Sequence, residues 1–469
     1  MWLVIILAFH LAGAGSALSA IFTARTSQGA VAWSLALLLV PYGAVPAYWL
    51  LGASRFQGYV NARRHGASRL DRELRSVVEE LRDCLTRPEG DRGTILVAER
   101  LARLPVLGGN ASRLLLDGEE TFRDIFAGIR DARHSIVVQY YIIRDDDIGR
   151  ELQSLLIQKA RAGVAVHLLF DKIGSHALPG RFVRALEEAG VKVSPFRSTR
   201  MGRPTRFQIN FRNHRKIVVA DGRVGWVGGL NVGDEYLGRD PEIGPWRDTH
   251  LRVEGPAALA LQLAFVEDWY WATGSVPDLV WEPVRVGEES ILVLPSGPAD
   301  EVDTVGLLIQ AAFHGAKQRI WVASPYFVPD DGVLEALKLA AFRGVDVRVL
   351  IPERSDSRLV DLARVPALEE LLRQDVRTFC YASGFLHAKV ILVDDRVAGV
   401  GTVNLDYRSI RLNFEITALV FDESTIGEVA ASFEEDFRGS TELTLQELSR
   451  RRLPSRVASR VAHLFAPVL

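Results

Sequence analysis

Two apolar stretches open the chain. Trp2 to Phe22 is apolar or small apart from His10, and Gly29 to Ala53 carries no charge, so residues 1–54 hold one charged side chain, Arg25. A helix crossing a hydrocarbon core of about 30 Å needs roughly 20 such residues, and each stretch is long enough. Thr23 to Gln28 suffices only for a turn, so the pair predicts a transmembrane helical hairpin. Pro41 and Pro46 are expected to kink the second helix or end it early. A cleaved signal peptide fits the first stretch less well, because a basic leading region is lacking and a second apolar stretch follows at once. Arg55, Arg63, Arg64, Arg69, Arg72 and Arg75 come after the second stretch, against one arginine in the turn. That asymmetry predicts a body facing the cytoplasm.

Beyond residue 54 the periodicity changes. Leu70, Leu74, Val77, Val78, Leu81 and Leu85 recur at helical spacing amid charge. This is an amphipathic helix, whose apolar side either lies on a bilayer or, as is more common, packs on the body. Two longer segments then read alike. Ser135 to Ile142 is a β-rich run, followed by an acidic turn, a helical stretch and the run Gly163 to Asp171. Arg319 to Pro329 begins a second copy, which ends in the run Gly344 to Pro352. Such alternation predicts an α/β sandwich made of two duplicated halves, with a site between them. Pro277 and Pro283 interrupt the pattern, which puts the boundary between Val276 and Glu289. The expected division is 1–54 membrane hairpin, 55–105 amphipathic linker, 106–285 first half, 286–440 second half and 441–469 basic tail. In the tail, Arg450, Arg451, Arg452, Arg456 and Arg460 accompany Val457, Val461, Leu464 and Phe465. That composition suits an anionic lipid surface and equally a solvated terminal helix.

Bulk charge adds little, because the formal net charge is only −2 and any basic surface must be local. Cys84 and Cys380 are the chain's 2 cysteines, too few for a disulfide framework, which fits a reducing compartment. Lysine is scarce, so its positions are informative. Each half carries one constellation: His214-x-Lys216-x4-Asp221 followed by Gly228-Gly229-x-Asn231, and His387-x-Lys389-x4-Asp394 followed by Gly401-Thr402-x-Asn404. Strand alternation sets the histidine and lysine of each copy on one face. A lone His-x-Lys is usually a surface strand, but two matched copies in a duplicated body are not. A phosphodiester repels nucleophiles and needs cations on its nonbridging oxygens, which two lysines and two asparagine amides supply. One neutral imidazole can attack phosphorus, while the other passes a proton to the leaving alkoxide and later takes one from the acceptor.

The paired His-Lys-Asp motifs resemble those of the phospholipase D superfamily, over nearly the whole chain, and look like its bacterial cardiolipin synthase branch. Phe211 to Lys216, Trp246 to His250, Glu254 to Pro256 and Ser324 to Asp330 add to the likeness. The resemblance implies a catalytic set of His214, Lys216, Asp221, His387, Lys389 and Asp394, with His214 as nucleophile and His387 as general acid and base. The two aspartates look structural in that family. Asn231 and Asn404 are implied as phosphate-binding, and Glu415 as a carboxylate orienting a histidine, with Asp248 its looser counterpart. Gln139 departs from the family, where an acid is expected. No metal and no cofactor are implied.

From Ala189 to Ala220 the chain carries Lys192, Arg197, Arg200, Arg203, Arg206, Arg212, Arg215 and Lys216 and no acid. This run suits an anionic headgroup or a nucleic-acid backbone. The expected partners are phosphatidylglycerol and anionic membrane lipids, with nucleic acid disfavoured by the membrane hairpin; assembly into a homo-oligomer is left open. A phosphatidyl transfer between two phosphatidylglycerols needs no nucleotide, and the chain has no phosphate-binding Gly-x4-Gly-Lys-Ser/Thr loop. The alternatives are a hydrolytic phospholipase D, a phosphodiesterase nuclease and a membrane scaffold; two intact motifs argue against the last.

Overall fold

The computed structural model describes residues 1–24, 26–52, 59, 77, 79–88, 91–197 and 210–468. Helix α1 (Trp2–Thr23) is the one described helix long and apolar enough to cross a membrane. The second apolar stretch is two helices, α2 (Ser27–Leu39) and α3 (Pro41–Leu51). The break follows from Pro41, which lacks an N–H and drives Val40 out of the helical region, to φ −134° and ψ 56°. Pro46 lies inside α3 without ending it. The three helices pack together, the small residues of α1 lying against Leu37 of α2 and Tyr48 of α3. Gly13 lies so close to α2 that a Cβ there would sit 2.4 Å from the Leu37 carbonyl oxygen. Ser16, Ala17 and Ala20 are buried, while Leu3, Leu7, Leu11 and Leu18 face outward. Small residues in and large apolar ones out is the packing of helices in lipid. The arginines from Arg55 to Arg75, with Arg25, lie outside the described residues.

The body is built twice around one continuous sheet, with two separate two-stranded sheets beside it. The first half supplies β1 (Leu107–Leu116), β2 (Ser135–Tyr140), β3 (Ala165–Asp171), β4 (Lys192–Phe196), β5 (Arg212–Asn213), β6 (Ile217–Ala220), β7 (Val224–Gly228), β8 (Trp246–Arg247) and β9 (Thr249–Glu254). The second supplies β10 (Glu289–Ser296), β11 (Arg319–Ala323), β12 (Phe327–Val328), β13 (Asp346–Pro352), β14 (Arg377–Tyr381), β15 (Phe385–Leu386), β16 (Val390–Val393), β17 (Val397–Gly401), β18 (Leu405–Asp406), β19 (Asn413–Val420) and β20 (Ser440–Leu443). β1 and β10 pair at the seam. Outward from it the order is β9-β7-β6-β2-β3-β4 on one side and β19-β17-β16-β11-β13-β14 on the other, with β20 added at the second edge. Equivalent strands thus hold equivalent places, as the repeat in sequence predicts. Helix Pro256–Thr273 is apolar all round and buried along most of its length against the first half and the seam.

Of the expected amphipathic helix, Val77 and Leu81 are buried in the main core, so this portion packs on the body, whereas Leu85 is exposed. Leu70, Leu74 and Val78 lie outside the described residues. Cys84 and Cys380 are both free thiols. The basic tail folds into helices Leu445–Ser449 and Leu453–His463.

Candidate active site

Each motif histidine sits just before a central strand, His214 ahead of β6 and His387 ahead of β16. What precedes each histidine is borrowed by the other half. β5 runs parallel to the start of β19, and the His214 amide donates to the Phe414 carbonyl at 2.9 Å. β15 runs parallel to β8, and the His387 amide donates to the Arg247 carbonyl at 2.7 Å. These two short exchanges bring each histidine against a carboxylate of the opposite half. His214 Nδ1 lies 2.9 Å from Glu415 Oε2, and His387 Nδ1 lies 2.7 Å from Asp248 Oδ2.

Asp248 and Glu415 are equivalent by register. Gly228 pairs with His250 and Gly401 with Thr417, and each carboxylate stands two residues before that partner. Their surroundings differ: Glu415 accepts from the Asn413 side-chain amide at 3.1 Å, and Asp248 from the Thr249 backbone at 2.7 Å. Thr402 donates its hydroxyl to Glu415 at 2.5 Å. At the matching Gly229, a Cβ would lie 2.0 Å from Asp248 Oδ1, so glycine makes room for the shorter acid to sit on the backbone.

All four groups are buried. Burial raises the carboxyls of Glu415 and Asp248, but the facing histidines and lysines and the hydrogen bonds outweigh it and hold both below their ordinary values. An ionised carboxylate only accepts, so each Nδ1 carries its proton and each Nε2 keeps a lone pair. Burial pulls His214 down to about 4, with Glu415 opposing. His387 falls to about 3 through burial and Lys389, with Asp248 opposing. Both imidazoles are therefore neutral near pH 7. Lys216 donates to the His214 carbonyl at 2.7 Å, and Lys389 to that of His387. Burial lowers both lysines, Lys389 to about 8. An anion in the pocket favours the charged form of both.

His214, His387, Asn231 and Asn404 line one open cavity of about 350 Å³. Asn231 accepts from the Ile142 amide at 3.1 Å and donates to the Tyr236 hydroxyl at 3.1 Å. Tyr141 meets His214 edge-on at 5.1 Å, and Tyr326 meets His387 at 6.5 Å. The walls include residues that the motifs did not single out: Tyr141, Tyr236, Asp356, Asp406 and Arg408. Tyr141 lies in a repeated run, but Asp356, Asp406 and Arg408 carry no local pattern. Of the basic run, Arg212 lines the cavity, Lys216 is in the site and Arg215 is buried in an ion pair with Asp268 at 3.0 Å. Arg200, Arg203 and Arg206 lie outside the described residues.

Asp221 and Asp394 line no part of the cavity. Both follow the far ends of their strands in the left-handed region, at φ 53° and 52°. Asp221 accepts from the amides of Arg133, His134 and Ser135 at 2.7–2.8 Å, and Asp394 accepts from those of Lys317, Gln318 and Arg319. Each carboxylate anchors the entry of a central strand. Asp221→Ala is expected to cost about 2–4 kcal/mol, from three lost charge-assisted bonds and a side chain less tolerant of that backbone. A lowered unfolding midpoint with unchanged kcat in the folded fraction checks this; a kcat loss at full stability contradicts it.

Gln139 is explained by what lies behind the site. Its amide donates to Asp268 at 2.7 Å, and Asp268 also accepts from Asn213 at 2.7 Å and from Arg215. An acid at 139 would set two buried carboxylates against one guanidinium. The amide removes that repulsion, and Arg215 is left to donate to the Glu415 carbonyl at 3.0 Å and steady β19.

A duplicated pair of α/β halves sharing a two-histidine pocket defines a phospholipase D-like protein, and similarity to known proteins narrows the class. The family described as cardiolipin synthase, PLD-like domain, matches residues 125–253 and again 309–437. Cardiolipin synthase A of Pseudomonas entomophila is 46% identical over 468 residues, covering 98% of this chain and 97% of that protein. Its namesake in Pseudomonas syringae pv. syringae is 45% identical over 467 residues, with coverage of 98% and 97%. Phosphatidylserine synthase of Haemophilus influenzae shares the fold, with a TM-score of 0.61 at 15% identity over 80% of this chain and 100% of that one. The chain belongs to the cardiolipin synthase family.

Proposed function

We propose that this chain is a cardiolipin synthase, a phosphatidyltransferase that moves a phosphatidyl group from one phosphatidylglycerol to a free hydroxyl of another and releases glycerol. The observation that carries the reading is the pair of neutral histidines in one pocket, each with Nδ1 held by a carboxylate of the opposite half. His214 Nε2 attacks phosphorus and forms a P–N bond as the P–O bond to glycerol breaks. His387, protonated when the anionic phosphodiester arrives, gives its Nε2 proton to the departing oxygen. It then takes the proton of the acceptor hydroxyl, which attacks phosphorus and frees His214. Lys216, Lys389, Asn231 and Asn404 hold the nonbridging oxygens. Arg212 and Arg408, near Tyr141 on the His214 side, suit the donor phosphate.

In this reading residues 106–285 and 286–440 are the two halves, and 1–54 hold the enzyme in the bacterial inner membrane, multi-pass, with the body in the cytoplasm. Its partners are anionic phospholipids rather than nucleic acid. Purified full-length protein in phosphatidylglycerol vesicles, with EDTA and no nucleotide, is expected to yield cardiolipin and glycerol, with phosphatidic acid minor by lipid mass spectrometry. Mostly phosphatidic acid would make the chain a hydrolase. Complete loss with EDTA, restored by one metal, would mean the site is misread.

A further inference from the structure

Helix Leu453–His463 is packed the wrong way round for a protein in water. Its inner side is small: Ser459 and Ala462 are buried, with Ala466 just beyond, against Val360 and Ala363. Its large apolar residues point away from the body. Leu453 is 71% exposed, Val457 54%, Val461 49% and Leu464 76%. At 100° per residue these four fall within one quadrant, a single stripe. An amphipathic helix folded only against its own body would bury that stripe and expose the serines and alanines. α1 shows the same inversion in this chain, with small residues in and leucines out.

The helix is fixed in that orientation. His463 Nδ1 donates to the Ala363 carbonyl at 2.9 Å, and Arg460 pairs with Glu369 at 2.8 Å. Arg452 and Arg456, beside the stripe, are exposed and enter no ion pair among the described residues. The helix also sits at the pocket. It packs on helix Arg358–Ala363, whose Val360 lines the catalytic cavity together with Tyr326 and Val328. Leu359, next to Val360, is itself exposed.

We propose that the stripe Leu453, Val457, Val461 and Leu464 is a second membrane contact, seated in the interface of an anionic phospholipid leaflet. Its flanking arginines take the headgroup phosphates, and it presses the mouth of the catalytic pocket onto the bilayer. An apolar stripe bordered by unpaired arginines matches such a leaflet in both shape and charge. The proposal rests on the lipid substrate assigned above, and it adds a surface to which the catalytic groups do not contribute. A lipid substrate could then slide from leaflet to pocket without its chains crossing water.

The test uses full-length protein carrying Cys380→Ser and Val457→Cys, labelled with an environment-sensitive fluorophore and reconstituted one copy per nanodisc. A blue-shifted emission in phosphatidylglycerol discs, weaker in phosphatidylcholine discs, is expected. An aqueous emission in phosphatidylglycerol discs overturns the proposal. So does a shift that appears in lipid-free detergent as protein concentration rises, which would make a second copy the occupant. Separately, Val457→Asp/Val461→Asp/Leu464→Asp should raise the apparent KM on phosphatidylglycerol vesicles tenfold or more and leave kcat on detergent-dispersed short-chain phosphatidylglycerol unchanged. Equal losses on both substrates would give the helix a structural role only. If the unaltered protein is inactive on the dispersed lipid, the catalytic reading fails, and the fluorophore still decides the docking.

Discussion

His214→Ala and His387→Ala are each expected to lower cardiolipin formation by about 10³-fold or more while the protein stays folded and membrane-bound. The two imidazoles act in sequence on one phosphorus, so neither can cover for the other. The variants should part company on an activated substrate. A phosphatidyl ester with a p-nitrophenol leaving group needs no proton from His387, so His387→Ala should still form the covalent phosphatidyl-enzyme in a burst of p-nitrophenol. His214→Ala should give none. A burst from His214→Ala but not from His387→Ala would reverse the two roles. Turnover of phosphatidylglycerol above a few percent in either variant would end the two-histidine mechanism.

Much of this site is legible along the chain because its chemistry is local. A histidine two residues before a lysine at the mouth of a strand is a spacing, and its repetition needs no coordinates to be noticed. The exchange between halves is different. That His214 meets Glu415 and His387 meets Asp248 depends on β5 lying against β19 and β8 against β15, pairings of two residues each that leave no periodic trace. The chain from Gly228 to Asp248 is longer than that from Gly401 to Glu415, and only strand register shows the two acids to be equivalent. The Gly229 and Thr402 difference was visible in the motifs, yet its meaning lies in a carboxylate far along the chain. The break at Val40 was legible in outline, since proline chemistry is local. The inverted helix Leu453–His463 was not, because a hydrophobic pattern gives the apolar side of a helix and never says whether protein or lipid covers it.

The crossed carboxylates lead to the most discriminating result. Glu415→Gln and Asp248→Asn keep size and shape but remove the acceptor that fixes each Nδ1 proton. An amide can turn its NH₂ toward the ring and donate to a deprotonated Nδ1, which leaves the ring proton on Nε2, where nucleophilic attack or proton uptake must begin. Each variant is expected to lose about 10²- to 10⁴-fold in kcat with little change in KM, since neither carboxylate lines the substrate cavity. The activated ester then reports which histidine each acid serves. Glu415 faces His214 across the halves, so Glu415→Gln should fail to give the p-nitrophenol burst, as His214→Ala does. Asp248 faces His387, so Asp248→Asn should keep the burst and stall afterwards, as His387→Ala does. If each acid served the histidine of its own half, the two variants would behave the other way round. A burst from Glu415→Gln together with none from Asp248→Asn would therefore refute the exchange between halves on which this reading of the site depends.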